Sequence, residues 1–181
     1  MRRINHRSGF SLQEVIIAVA VLAVLGAISV PLLIGPIRRA QAAGAGTTLG
    51  GAIRDARLRA IATGWQYRVV AYDASGAVPN AFRIEGMNPA SGGAWPAAGT
   101  ATTPPLFGSN QAYDTYTRMV QDFGTAQIQI PGGGAFTVTF NPRGQWAVPC
   151  VPVGCQVGVR TEAGLSTLTV SQSGAVQILR Q

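Results

Sequence analysis

The sequence predicts an α+β fold: a long N-terminal helix, with a membrane-spanning half and an amphipathic half, packed on a mainly antiparallel β-sheet domain. Three observations predict it. From Phe10 to Ile37 the chain runs apolar with one charge, Glu14. An apolar stripe at helical spacing follows, and from Gln66 onward short alternating segments are separated by Gly, Pro, Asn and Asp turns.

The chain has 181 residues, enough for one domain and an anchoring segment. Apolar residues make up 47% and charged ones 12%, which excludes a disordered chain. All 14 basic residues are Arg, against 7 acids, for a net charge of +7. Arg2, Arg3 and Arg7 lie in the first nine residues, and without that segment the excess falls to +4, a weak nucleic-acid signal. The single histidine, His6, is in the same segment. A chain starting at Phe10 then has no histidine for a triad, a proton shuttle or a zinc site, and no cofactor or metal is expected.

Residues 1–9 form a basic leader. Residues 10–37, as a helix of about 42 Å, exceed the ~30 Å hydrocarbon core. Glu14 is the anomaly, because a carboxylate at a bilayer centre costs roughly 2.5–3.5 kcal/mol and requires a partner. Cleavage after Gly9 would create such a partner, a new α-amino group on Phe10. The alternative is a Glu that reaches the membrane interface from a helix end. Gly9-Phe10-Ser11-Leu12-Gln13-Glu14 at the head of a long apolar run resembles the prepilin peptidase motif of type IV pilin-like proteins. The resemblance implies that the peptidase cuts after Gly9, that Phe10 is N-methylated, and that Glu14 is the assembly residue. It also implies other pilin or pseudopilin subunits, prepilin peptidase and an inner-membrane assembly platform as partners. The chain would cross the bacterial inner membrane once, with its C-terminal domain in the periplasm or on an extracellular filament.

Pro31 and Gly35-Pro36 are expected to kink or locally melt the helix. Residues 38–64 continue it: Leu49, Ile53, Ala56 and Ala60 share one face suited to cover a sheet, while Arg54, Asp55 and Arg59 point elsewhere. Gly44, Gly46, Gly50 and Gly51 either allow close packing or mark a flexible stretch. Thr63-Gly64 is the expected stop.

Residues 65–181 form the β-rich domain. Expected strands are 66–72, 81–85, 116–120, 126–130, 135–141, 145–148, 156–160, 166–170 and 175–179, with a long irregular loop from Gly86 to Asn110. Asn141-Pro142-Arg143-Gly144 suits a type I turn, and Ser171-Gln172-Ser173-Gly174 closes the last hairpin. Cys150 and Cys155 suit a short disulfide, two free thiols being the alternative.

Ala56-Arg57-Leu58-Arg59-Ala60-Ile61-Ala62-Thr63-Gly64 before a strand is similar to a segment of the GspH/FimT-like minor pilins. Phe140-Asn141-Pro142-Arg143-Gly144 and Gly174 resemble their hairpin turns. The resemblance implies the pilin fold and a structural subunit of a type II secretion pseudopilus or a type IV pilus. The alternative it offers is a DNA-binding minor pilin of an uptake pilus, with Arg54, Arg59 and Arg180 as candidate phosphate contacts. A third reading is a single-pass membrane protein that never assembles. Catalysis is not expected: Pro131-Gly132-Gly133-Gly134 lacks the Lys and Ser/Thr of a phosphate loop, and Asp114 and Asp122 read as solvated charges.

Overall fold

The computed structural model describes residues 11–92, 94–97, 111–147, 150–151, 154–162 and 164–180. The chain divides into two units, Met1–Arg38 and Arg39–Gln181. Helix α1, Leu12–Thr63, runs through the boundary. Its backbone is helical through Pro31 and Pro36, so the expected local melting does not occur. Each proline forfeits a ladder bond and crowds the carbonyl one turn back, yet the turns on either side hold the backbone helical.

In the first unit Ser11 sits before the first helical turn, and its Oγ accepts from the Glu14 backbone N–H at 3.3 Å, satisfying one of the orphan donors of a helix start. Helix α1 ends where expected. Gly64 adopts φ +71° and donates its N–H to Ala60 O at 3.1 Å, the left-handed cap that glycine accepts without a Cβ clash.

Among the described residues nine strands follow, all paired antiparallel. The first sheet runs β3-β2-β1-β6, with β4 also on β2: β1 is Gln66–Tyr72, β2 Ala81–Met87, β3 Gln111–Tyr113, β4 Thr117–Arg118 and β6 Ala135–Phe140. The second runs β5-β7-β8-β9: Gln127–Gln129, Gln156–Thr161, Gly164–Val170 and Val176–Arg180. One core joins the sheets to α1. Ala45, Leu49, Ile53, Ala56 and Ala60 are fully buried against Val69, Phe82, Ile84, Phe136, Val138 and Phe140 from one sheet and Val157, Val159 and Leu168 from the other. The expected stripe of α1 is therefore its core face.

The glycines of α1 serve close approach. A Cβ on Gly46 would lie 3.2 Å from Ser166 Cβ, and one on Gly50 would lie 3.3 Å from Ile178 and 3.5 Å from Leu168. Gly44 meets Phe123 in the same way, whereas Gly51 faces open space. At these glycines the side chains of Ser166, Ile178, Leu168 and Phe123 pack directly on the helix backbone, which offsets the poor helix propensity of glycine.

Three expectations change. Of 116–120 only Thr117–Arg118 is extended, and Met119–Phe123 forms helix α2, because Met119 is buried and its N–H bonds to Asn80 O at 2.9 Å. The segment 145–148 contributes one bridge, Trp146 to Phe140, while Val148 lies outside the described residues. The loop expected from Gly86 begins later, since β2 extends to Met87 and a 3-10 turn follows at Pro89–Ser91. Asn80 is a hub at the end of the β1–β2 turn. It adopts φ +49°, its N–H bonds Asp73 O, and its Oδ1 accepts from Ile128 N–H at 3.2 Å.

Candidate functional site

The residues singled out by the sequence fall in separate places. Gly9 and Phe10 lie outside the described residues. Glu14 is in the first turn of α1, exposed, where the positive end of the helix dipole favours a carboxylate. Around it the helix presents apolar side chains on every side: Leu12, Val15, Ile16, Ile17, Val19, Leu22 and Leu25 are each 48–79% exposed. Among the described residues no helix is long and apolar enough to cross a membrane. The expected span, 10–37, includes 28–33, whose side chains, Pro31 among them, lie outside the described residues.

The three internal motifs converge on Arg57. Asn141–Gly144 and Ser171–Gly174 are hairpin turns of the same design. In each, the glycine donates its N–H to the first residue's carbonyl at 2.8 Å, and that first residue's N–H reaches one residue beyond the glycine at 2.9 Å. The side-chain oxygen closes the ring: Asn141 Oδ1 accepts from Arg143 N–H and Gln145 N–H, and Ser171 Oγ from Ala175 N–H. Both glycines have positive φ, +73° and +77°. Arg57 Nε donates to Gly144 O at 3.0 Å, and a Cβ on Gly174 would fall 2.9 Å from Arg57 Cδ. Arg57 is thus held between the turns that end β6 and β8, and pins both sheets to the helix.

The candidate phosphate contacts are not brought together. Arg59 is held by Asp55 at 2.7 Å and Asp114 at 2.8 Å. Burial pulls its guanidinium down, but the hydrogen bonds to Asp114 and Asp55 outweigh this and leave it raised. Asp114, read as a solvated charge, is an ion-pair partner, whereas Asp122 is exposed in α2. Arg54 extends to Val176 O at 3.4 Å, and exposed Arg180 ends β9 paired with Ser166.

Sequence reasoning missed a buried charge cluster on the outer face of the first sheet. Glu85, 1% exposed, takes Arg83 on one oxygen at 2.6 Å and Arg68 on the other at 2.6 Å. Arg83 lies over the rings of Tyr116, at 4.4 Å, and Tyr113, at 5.0 Å; Arg68 lies over Trp95 at 4.4 Å. Arg68 also reaches Pro96 O and Arg83 reaches Ala97 O, so the charges hold the segment after β2 against the sheet. Burial pushes the neighbouring Tyr72 hydroxyl up to about 12, assisted by Tyr116 and Glu85. The signal was available: Arg83-x-Glu85 and Arg68 put three charges on one face of neighbouring strands.

Cys150 and Cys155 form a disulfide, both buried. Val151 between them exchanges two backbone hydrogen bonds with Thr137 of β6, and Cys155 O accepts from Val170 of β8. The bridge therefore stands where the chain passes from one sheet to the other. A groove of about 590 Å³ is lined by Asp73, Ser75, Gln127, Gln129, Gln156 and Thr167 among others. Among the described residues Asp73 is its sole titratable lining group. The Ser75 hydroxyl lowers its carboxyl most; burial opposes this, and the backbone N–H groups of Gly134, Ser75 and Gly76 add to the lowering. The Asp73 carboxylate accepts from the Ser75 hydroxyl at 2.7 Å, and the glutamine and threonine side chains add further polar groups to the lining.

No family model and no curated protein matches the chain. Two crystal forms of the type IV minor pilin FimU of Pseudomonas aeruginosa are similar in structure, each 16% identical. One match covers 78% of this chain and 90% of FimU at a TM-score of 0.45; the other covers 75% and 90% at 0.43.

Proposed function

We propose that this chain is a structural pilin-like subunit, made as a precursor that is cut after Gly9, methylated on Phe10 and assembled with related subunits. In this reading residues 10–37 anchor it in the bacterial inner membrane until an assembly platform draws it into a type II secretion pseudopilus or a type IV pilus. It is the substrate of a peptidase and not a catalyst.

One observation carries the reading: the apolar stretch of α1 up to Ile37 has a single acid, Glu14, in its first turn, shortly after Gly9-Phe10. The apolar side chains exposed between Leu12 and Ile37 would cost on the order of 10 kcal/mol left in water. Lipid or neighbouring helices remove that cost. The α-amine freed by cleavage then lies within a few residues of Glu14, and in a low-dielectric setting each neutralises the other.

Mass spectrometry of the protein isolated from cells with the peptidase should give methylated Phe10 as its first residue; an intact Met1 or Arg2 terminus would sink the proposal. Glu14→Ala should keep the domain folded and lose co-purification with partner subunits, whereas unchanged assembly would favour a plain anchor. The ion pairs of Arg59 disfavour the DNA-uptake alternative. A gel shift of the full chain that is abolished by Arg54→Ala, Arg59→Ala and Arg180→Ala together would restore it.

A further inference from the structure

The sequence offers no obvious binding motif in the domain, but the packing around Arg57 creates a basic, partly apolar surface. Arg54, reaching Val176, and Arg57, wedged against Gly174 and Gly144, stand one turn apart on α1, and Arg143 directly precedes Gly144 in the Asn141–Gly144 turn. Arg54 and Arg143 are exposed, and no ion pair to an acid is found for any of the three among the described residues. On the same helix, Leu58 is 63% exposed and Ile61, which touches Gly144, is 50% exposed.

We infer that Arg54, Arg57 and Arg143, with Leu58 and Ile61, form a docking surface for a different protein that presents apolar side chains flanked by carboxylates. Arginine beside exposed aliphatic groups is the composition of a protein interface. Three phosphate contacts alone would give a nucleic-acid affinity that falls as roughly the 2.7th power of salt concentration, too weak to hold at physiological salt. A second copy is a poor partner because its acids are committed or scattered. Asp55 and Asp114 hold Arg59, Glu85 is buried between Arg68 and Arg83, and Asp73 is tied to Ser75 and Gly134. Glu14 belongs to the first turn of α1, while Asp122 and Glu162 lie apart, in α2 and in the turn between β7 and β8. The inference rests on the proposed assembly only for the setting in which such a partner is met.

The test uses the full chain in zwitterionic nanodiscs and, as probe, a fluorescent twenty-residue amphipathic peptide of Leu and Glu, with empty nanodiscs subtracting lipid partition. Arg54→Glu combined with Arg143→Glu should weaken binding at least tenfold and Leu58→Ser at least threefold. Arg118→Glu combined with Arg160→Glu, two exposed arginines elsewhere, should change it less than twofold. Equal loss in that control means bulk charge and overturns the inference. A twenty-base-pair duplex held more tightly than the peptide by the same arginines would overturn it in favour of nucleic acid. Self-association abolished by the same variants would overturn it in favour of a second copy. None of these results depends on cleavage after Gly9, so an uncut N-terminus defeats the proposed function without touching this one.

Discussion

Gly174→Ala measures how firmly the helix is pinned to both sheets. At φ +77° an added Cβ meets the backbone strain of the left-handed region, about 1–2 kcal/mol. It also falls 2.9 Å from Arg57 Cδ and 3.1 Å from Phe140 Cε1. The arginine stem can yield, but Phe140 is fully buried and cannot, so overpacking adds about 1–2 kcal/mol. The smaller entropy of the unfolded alanine chain returns about 0.5 kcal/mol. The net loss is about 2–3 kcal/mol, or roughly 4–12 °C in Tm for a chain of this size. Gly64→Ala is the internal control. Gly64 has φ +71° and nothing within 4 Å of where a methyl group would sit, so it should lose only about 1 kcal/mol. Thermal melts of both variants by circular dichroism, with urea titrations followed by tryptophan fluorescence, give the difference. If Gly174→Ala is no worse than Gly64→Ala, the contact between the turn and Arg57 is not tight and the pinning argument fails.

Removing Glu85 as Glu85→Gln should cost about 3–5 kcal/mol, because Arg83 stays buried without its counter-charge; Glu85→Leu with Arg83→Met should recover most of this in the same urea titration. Tyr72 gives a pH prediction: its hydroxyl ionises near 12 when folded and near 10 when unfolded. The stability it contributes is full below pH 10 and is lost as pH rises through about 12. Tyr72→Phe should flatten that alkaline fall in melts run from about pH 9 to 12. Cys150→Ser with Cys155→Ser should lose about 2 kcal/mol by urea titration, the chain-entropy value for so short a loop.

Much of the domain was legible because its signals are local. β1 follows from the run Gln66–Tyr72 closed by Asp73 and Gly76, and the core face of α1 follows from the spacing of Leu49, Ile53, Ala56 and Ala60. The two glycine turns were readable as turns, though their meeting on Arg57 was not, since residues 57, 144 and 174 are far apart in the chain. The charge cluster escaped for a related reason. Arg68, Arg83 and Glu85 lie in expected strands, and what makes them a buried cluster is the cover of Trp95, Tyr113 and Tyr116, two of them far along the chain. The strand expected over Tyr116–Val120 gives way to α2 from Met119, where burial of that side chain and the bond from its N–H to Asn80 O, distant in sequence, prevail over strand composition. β3, three residues long, is specified by its partner β2 and not by its own sequence.

Asn80 has a consequence for crowding. Among the described residues strand β5 pairs with β7 alone, so its outer side is a rim on which a foreign strand could seat. The Asn80 amide oxygen occupies the Ile128 N–H that such an intruder would need. The folded chain at high concentration would thereby be spared one route to β-stacked aggregation. Asn80→Gly, which keeps the left-handed backbone at φ +49°, would remove that oxygen and reopen the route.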